Sequence, residues 1–243
     1  MTTPLFPGGV AVSDLAVYDW DAIDGRCGGS PHLHTASSEG YVVVGGSGAV
    51  HTLSADGIAE HPLTSGEVVW FSPGTVHRLV NDGGLRLIVV MQNSGLPEAG
   101  DAVLTFPSRV LDDPAAYAAA AALPAGPARE DAARVRRDLA MEGYLELRDA
   151  VAADGPGALE ALHARAARLV QPRVAGWRTM WEATVVAEVE RTGRQLDALE
   201  GGLPGALGAA SVVRATPTPG DPGFGMCGRL TTWQWDAPSG PLG

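Results

Sequence analysis

Hydrophobic and polar residues alternate in short runs through roughly the first 105 residues of the chain. The runs are rich in β-branched and aromatic residues, and Gly, Pro, Asn and Asp separate them, which is the pattern of strands joined by tight turns. Many short strands at this spacing predict an antiparallel barrel or sandwich. The strand-like runs are 10–20, 31–34, 40–44, 48–53, 67–72, 75–80 and 85–92.

The pattern changes to a helical period after Pro107. Residues 112–124 read as a helix with Asp at its N-cap and proline just inside, and the charged segment 128–151 also reads as helical. The clearest helix is 177–199, where one apolar stripe recurs at steps of three and four. Its members are Trp181, Val185, Val189, Thr192, Leu196 and Leu199.

These patterns divide the chain into three parts. We predict a β-barrel over 1–108, a helical extension over 109–200, and a tail over 201–243 that reads as strand again and can return to the barrel sheet. The predicted fold class is therefore mainly β with an α extension. Trp177 and Trp181 fit a buried stripe, whereas Arg134, Arg136 and Arg137 lie among acidic residues, as on a solvated helix face.

Composition excludes several classes of function. All 17 basic residues are arginine, so there is no lysine for a P-loop or for a Schiff base. The net charge of −11 argues against a nucleic-acid partner and an anionic membrane, because both need a basic face. In the helical part acidic residues outnumber arginines, so DNA binding by a sensor is also disfavoured.

The cysteine content and the hydropathy pattern bear on location. Cys27 and Cys227 are far apart in sequence and form neither a disulfide framework nor a zinc pair, so a reducing cytoplasm is expected. No apolar run approaches the length of about 18 residues that a membrane span needs. We therefore expect a cytoplasmic protein with no membrane partner.

Three histidines and one glutamate form the candidate chemical site. His32 and His34 are two apart, so both imidazoles face the same side of a strand. Glu39 follows after a short turn, and His77 follows the Pro73-Gly74 turn. Three imidazoles and a carboxylate on the inner face of a barrel suit a borderline divalent metal. Four protein ligands leave two positions of a six-coordinate ion open.

The spacing of these residues resembles that of the cupin superfamily. His32-x-His34-x4-Glu39-x6-Gly46 is similar to the first cupin motif, and Gly66-x6-Pro73-Gly74-x2-His77-x3-Asn81 to the second, over residues 20–95. The glycine usual before the first histidine is replaced by Arg26. The resemblance implies a small jelly-roll barrel and one divalent transition metal per chain (Fe, Mn, Ni, Zn or Cu), bound by His32, His34, Glu39 and His77.

Strand parity suggests further residues near the site. If Glu39 points inward, Tyr41 and Val43 do so as well. If Asp82-Gly83 is a two-residue hairpin loop, Gln92 also faces inward. We therefore predict Tyr41 and Gln92 as candidate catalytic residues, although a shift of one residue would reverse the face.

The site supports a metal-dependent enzyme acting on a small polar metabolite. Within the resemblance, dioxygenase or oxidoreductase chemistry is slightly favoured, because the expected interior offers few spare acids or bases. The alternatives are an isomerase or epimerase of a sugar-like keto compound, which needs a second base near the metal, and a non-catalytic binding protein. Small cupins of this kind are often dimers, so a homodimer is expected. Three arrangements of the helical extension remain open: it packs on the outside of the barrel, it packs on a partner subunit, or it covers the opening of the cavity as a lid.

Overall fold

A computed structural model describes residues 6–235. The outer ends of the predicted ranges 1–108 and 201–243 lie outside the described residues. Within residues 6–235 the fold is an antiparallel β-barrel with helices on its outer face and a tail that rejoins the barrel. The predicted fold class is therefore confirmed.

The barrel is built from strands β1 to β7. Their bounds are β1 Ala11–Val17, β2 His32–His34, β3 Glu39–Ser54, β4 Gly57–Thr64, β5 Val68–Phe71, β6 Val76–Met91 and β7 Ala102–Leu104. The main order is β4-β3-β6-β1, while β2 bridges β6 and β7, and β5 pairs with β3. All of these pairings are antiparallel.

β3 and β6 pair along almost their entire lengths, from Glu39 opposite Met91 to Leu53 opposite Val76. The predicted hairpin at Asp82-Gly83 is therefore wrong, because this segment lies inside one long strand. The ladder is irregular between Val43 and Gly48. This irregularity changes which residues face inward, from the odd positions Tyr41 and Val43 to the even position Val50.

The barrel wall has an apolar inner face and an apolar outer face. The inner core contains Tyr41, Val43, Val50, Leu63, Leu79, Leu87 and Val89. The outer core joins Leu33, Leu53, Val76 and Val103 of the strands to Met141, Tyr144, Leu162 and Trp177 of the helices. Each fully buried large apolar side chain contributes on the order of 2 kcal/mol, so the outer core fixes the helices to the barrel.

The helical extension begins directly after β7. Its helices are α1 Ser108–Leu111, α2 Pro114–Ala121, α3 Arg129–Asp154, α4 Leu159–Val170, α5 Val174–Trp181 and α6 Ala187–Glu200. A π-helical turn over Glu182–Val186 joins α5 to α6. Among the described residues no helix is both long enough and apolar enough to cross a membrane.

Two arginines of α3 do not lie on the predicted solvated face. Arg137 is 2% exposed and donates to the backbone carbonyls of Trp20, Asp21 and Gly28. Arg136 is 8% exposed and donates to the carbonyl of Gly225. The guanidinium groups satisfy loop carbonyls that would otherwise be buried without partners, which the sequence pattern does not reveal.

The stripe predicted for 177–199 is only partly buried. Trp177 is in the core, as predicted, but Trp181 is 38% exposed, so its predicted burial is wrong. Val189, Leu196 and Leu199 are also exposed. The first turns of the helix pack on the barrel, and α6 continues past it, leaving its apolar face uncovered within the described chain.

The tail returns to the barrel. Its strands are β8 Ala215–Pro217, β9 Gly223–Phe224, β10 Gly228–Thr231 and β11 Trp233–Trp235. β10 pairs antiparallel with β1, from Asp14 opposite Thr231 to Val17 opposite Gly228. β8 and β11 pair with each other. The tail therefore supplies part of the barrel wall beside β1.

Gly46 sets the irregular turn of β3 and provides a stability test. Its φ is +70°, and an added Cβ would overlap the backbone of Gly84. We expect Gly46→Ala to lower the free energy of unfolding by about 2 kcal/mol or more, since both strain and overlap oppose the side chain. Urea denaturation measures the change.

Gly45→Ala is the matched control, because Gly45 has open space around its Cβ position and no positive φ. Its free energy of unfolding is expected to change by less than about 0.5 kcal/mol. Equal destabilisation by the two variants would contradict the role assigned to Gly46.

Candidate metal centre

The two histidines of β2 point into the barrel while Leu33 points the other way. His32 and His34 are 3% and 8% exposed, and Leu33 is buried among residues of the outer core. The alternation of a strand thus gives both imidazoles the same side, as the sequence predicts. The strand is held between β6 and β7.

Glu39 and His77 join the two imidazoles from neighbouring strands. Glu39 is the first residue of β3, and His77 lies opposite His32 in the β2–β6 ladder. Nε2 of His77 is 3.1 Å from Nε2 of His32 and 3.0 Å from Oε2 of Glu39. Nε2 of His34 is 3.4 Å from the same oxygen. One ligand atom from each of the four residues lies within 4.8 Å of the others.

The outer nitrogen of each imidazole has an acceptor. Nδ1 of His32 is 2.9 Å from the carbonyl of Ser30, and Nδ1 of His77 is 3.1 Å from that of Thr75. Nδ1 of His34 is 2.6 Å from Oδ1 of Asp101. Since each Nδ1–H donates outward, the three Nε2 lone pairs are directed toward one another and toward Glu39.

This arrangement fits a bound cation. Two Nε2 lone pairs at 3.1 Å repel unless a proton or a metal lies between them. Oε2 of Glu39 is buried and has no well-aligned hydrogen bond to the described residues. Three neutral imidazoles and a carboxylate are suitable ligands for Zn, Fe, Mn, Ni or Cu. The cluster is therefore compatible with a divalent metal ion.

The pKa shifts of the cluster reflect burial and mutual charge. Burial and the neighbouring imidazoles hold the pKa of His32 well below its usual value. Burial alone would also lower the pKa of His34, but the neighbouring carboxylates of Asp101 and Glu39 raise it to about 10. Burial would raise the pKa of Glu39, but His77 and His34 lower it well below its usual value. The site thus favours a positive charge beside His34 and Glu39.

Asp101 is a functional candidate that the sequence pattern does not reveal. It is fully buried, and its contact with His34 spans 67 positions of sequence. Two hydrogen bonds hold the loop that carries Asp101. The backbone N–H of Thr35 donates to the carbonyl of Asp101, and the ring N–H of Trp177 donates to the carbonyl of Ala99. A carboxylate on the outer nitrogen of a metal-binding histidine fixes its tautomer and orientation. No local sequence motif marks this residue.

Tyr41 lies inside the barrel, on the side that strand parity predicts. It is fully buried, its ring is 6.4 Å from that of His77, and its hydroxyl has no hydrogen-bond partner in the described part of the chain. Burial and the nearby Glu39 carboxylate raise the pKa of Tyr41 well above its usual value. The phenol therefore stays protonated as a hydrogen-bond donor next to the ligand cluster.

Gln92 is not brought to the cluster. It is exposed one residue past the end of β6, and its side-chain carbonyl accepts from the backbone N–H of Ser38 at 3.3 Å. Gln92 would face inward only if Asp82-Gly83 formed a hairpin loop, and these two residues lie inside β6. Gln92 instead fixes the turn that precedes Glu39.

A cavity of about 270 Å³ borders His32, His34 and Glu39. The rest of its wall is mostly apolar and includes Leu15, Val89, Met91, Met226 and Leu230. Its other lining groups that can ionise are Glu98 and Cys227. Burial raises the pKa of the Cys227 thiol, which lies 4.0 Å from Nδ1 of His32. The tail therefore closes one side of this cavity.

The sequence comparisons agree with this geometry. The profile of the Cupin_2 family, described as a cupin domain, matches residues 22–91, which include all four residues of the cluster. Residues 22–91 are a cupin domain. The expected cupin superfamily is thereby confirmed for the barrel. No curated protein matches the chain by sequence.

Solved structures resemble the cupin domain at low identity. A conserved protein with a double-stranded beta-helix domain from Klebsiella pneumoniae is 17% identical over 39% of this chain and 76% of its own, with a TM-score of 0.30. The Streptomyces nucleoside dehydratase Pac13 is 17% identical over 40% of this chain and 69% of its own, with a TM-score of 0.30. A cupin protein from Bacteroides fragilis is 19% identical over 35% of this chain and 65% of its own, with a TM-score of 0.26.

Asp101→Asn tests the support of His34. Asparagine keeps the shape but removes the charge that orients the imidazole, so we expect metal affinity to fall about 10- to 100-fold. Competition with a chromophoric chelator measures this affinity. Asp56→Asn, at an exposed turn, is the control and is expected to bind metal as the unmodified protein does. Unchanged affinity in Asp101→Asn would show that the carboxylate is not needed.

Proposed function

We propose that this chain is a metal-dependent cupin enzyme that acts on a small molecule, with oxidoreductase chemistry of the dioxygenase type. The observation that carries the proposal is the buried cluster of His32, His34, Glu39 and His77, three of which line a largely apolar cavity. These four residues would hold one divalent transition metal per chain. When bound, such an ion supplies Lewis acidity and, if it is redox-active, electrons for oxygen chemistry.

The chain's own residues prepare the site for this chemistry. The apolar wall formed by Leu15, Val89, Met91 and Met226 excludes water and strengthens electrostatic interactions inside the cavity. Asp101 holds His34 in one tautomer. Tyr41 remains protonated beside Glu39 and can donate a hydrogen bond to it, which would fix the carboxylate.

The low content of ionisable groups favours oxygen chemistry over isomerisation. An isomerase or epimerase moves a proton at carbon and needs a positioned base besides the metal ligands. In the described cavity wall the candidates are Glu98, which is exposed, and Cys227, whose thiol burial keeps protonated. Neither has the setting of a strong internal base.

His77→Ala separates an enzyme from a structural barrel. Removal of one of four ligands is expected to lower metal content by at least about tenfold, and with it any oxygen uptake with candidate substrates. Elemental analysis and an oxygen electrode measure the two quantities. His61→Ala is the control, since His61 is exposed and outside the cluster.

Loss of metal without loss of turnover in His77→Ala would contradict a metal-dependent mechanism. If the unmodified protein contains its full complement of metal but takes up no oxygen, the result would instead favour a non-catalytic, small-molecule-binding cupin or an isomerase. A fall in thermal stability alone, with metal content unchanged, would show that His77 is only structural.

We further propose that the chain forms a homodimer through the apolar face of α6. Val189, Leu196 and Leu199 are 66%, 61% and 49% exposed, and Leu203 and Leu207 extend this surface. Four of the six charged residues of α6 are paired within the helix, as Arg191–Glu188 and Arg194–Glu190. A second copy can therefore cover the apolar face with most of the neighbouring charges already paired.

Leu196→Glu tests this interface. A carboxylate placed in an apolar contact must be desolvated, so we expect the dimer dissociation constant to rise at least about tenfold. Light scattering at micromolar concentration and sedimentation equilibrium measure it. Arg194→Gln lowers the net charge by the same one unit at an exposed position of the helix and is expected to have a smaller effect. A monomeric unmodified protein would contradict the proposal.

A further inference from the structure

The loop that joins β6 to β7, residues 92–101, is tied to the barrel near both of its ends. The side-chain N–H of Asn93 donates to the carbonyl of Ala36 at 3.0 Å. The backbone N–H and the hydroxyl of Thr35 donate to the carbonyl of Asp101 at 3.0 and 2.9 Å. These bonds fix the β6–β7 loop to the segment between β2 and β3, where the cluster residues His34 and Glu39 lie.

One helical face contacts the β6–β7 loop from the outside. Its members are Arg173, Trp177, Met180 and Thr184. Steps of four, three and four keep residues on one side of a helix, and this face runs from directly before α5 into the π-helical turn. Nη1 of Arg173 donates to the carbonyl of Gly100 at 3.1 Å, and the ring N–H of Trp177 donates to the carbonyl of Ala99 at 3.4 Å.

The other two members of the face contact the first half of the loop. An added Cβ on Gly95 would overlap Sδ of Met180, so the two segments approach closely there. Oγ1 of Thr184 is 3.4 Å from the carbonyl oxygen of Ser94. The order of contacts along the helix is therefore the reverse of the order along the loop. The two segments pack along each other, and the helix thereby fixes the path of the loop.

The carboxylate of Asp101 depends on this path. Its Oδ1 is 2.6 Å from Nδ1 of His34, whereas Oδ2 is buried and has no hydrogen-bond partner among the described residues. The backbone N–H of Asp101 donates to the carbonyl of Leu96, within the same loop, at 3.2 Å. The backbone of the loop therefore sets where the carboxylate meets the imidazole.

Trp177 and Arg173 differ in how firmly they hold the loop. Trp177 is 6% exposed and belongs to the outer core, together with Leu33 and Val103 of the barrel strands. Arg173 is exposed. A hydrogen bond shielded from water is the stronger restraint, so Trp177 supplies the firmer contact and Arg173 the weaker one.

We propose that this helical face is a positioning element of the metal centre. Trp177 and Arg173 are not among the four cluster residues, but they hold the β6–β7 loop and, through Asp101, the orientation of His34. This inference rests on the proposed metal site and assigns the helical extension a role in it. A carboxylate aligned with the outer N–H makes the imidazole a better oriented and more basic ligand. Loss of the helical contacts weakens this alignment and, with it, metal binding.

Trp177→Phe and Arg173→Met test the helical face with Co²⁺ as the probe. Each removes the donor to a loop carbonyl and keeps an apolar side chain. A direct partner of a ligand contributes about 10- to 100-fold to affinity, so one step further out we expect losses of about three- to tenfold for Trp177→Phe and about twofold for Arg173→Met. Competition with a chromophoric chelator measures the affinity. The visible bands of bound cobalt should shift as well, because they report the orientation of the ligands.

Trp181→Phe and Arg178→Met are the matched controls on the same helix. Both residues are exposed, and both variants are expected to bind cobalt as the unmodified protein does. Val151→Ala controls for stability alone, since Val151 is buried in α3. It is expected to lower the unfolding temperature and to leave the cobalt affinity and spectrum of the folded protein unchanged.

Double-mutant cycles with Asp101→Asn show whether the helical face acts through Asp101. In Asp101→Asn the support of His34 is already lost. Trp177→Phe and Arg173→Met should therefore change cobalt affinity by less than about 1.5-fold in that background. Equal losses in the unmodified and the Asp101→Asn backgrounds would overturn the assigned route.

The outcomes separate this inference from the proposed function. If the unmodified protein binds no cobalt, both are overturned. If it binds cobalt and Trp177→Phe and Arg173→Met bind it equally well with unchanged spectra, the positioning role is overturned and the metal site stands. A loss in Val151→Ala as large as that in Trp177→Phe would show that affinity follows overall stability, which also overturns the role. If Trp177→Phe does not fold, Arg173→Met and its cycle decide.

Discussion

The convergence of three imidazole lone pairs on a buried carboxylate is the constraint to which the rest of the structure is adapted. Such a group of acceptors is unfavourable without a cation. The strands bring His32, His77 and Glu39 together through their register, and their outer hydrogen bonds fix which atoms point inward. The helices, loops and tail then enclose this centre and hold its supporting groups.

The helical extension has a defined relation to the centre, although it contributes no cluster residue. Trp177 contacts the loop at Ala99, and the same loop ends in Asp101, which orients His34. Leu33, between the two histidines, packs against the helices on the outer side of the wall. Helix packing and ligand geometry are therefore connected through one strand and one loop.

The sequence predicts those parts of the site that depend on local spacing. His32 and His34 share a face because a strand alternates, and Tyr41 follows Glu39 inward for the same reason. Gln92 and the Asp82-Gly83 hairpin were mispredicted because a glycine pair can mark either a turn or an irregularity inside one long strand. Asp101 escaped prediction, and Arg136 and Arg137 were wrongly predicted to be solvated, because their partners lie far away in sequence. Trp181 was wrongly predicted to be buried because the periodicity of a stripe does not say what covers it.

The contribution of the tail has a consequence for how the protein is made. Cys227, in the wall of the cavity beside the histidine cluster, follows His32 by 195 positions. At a synthesis rate of about 5–20 residues per second, the histidines emerge roughly 10–40 seconds before the segment that closes the cavity beside them. Until that segment emerges, the wall beside His32 is incomplete, so a barrel formed at this stage is open on that side.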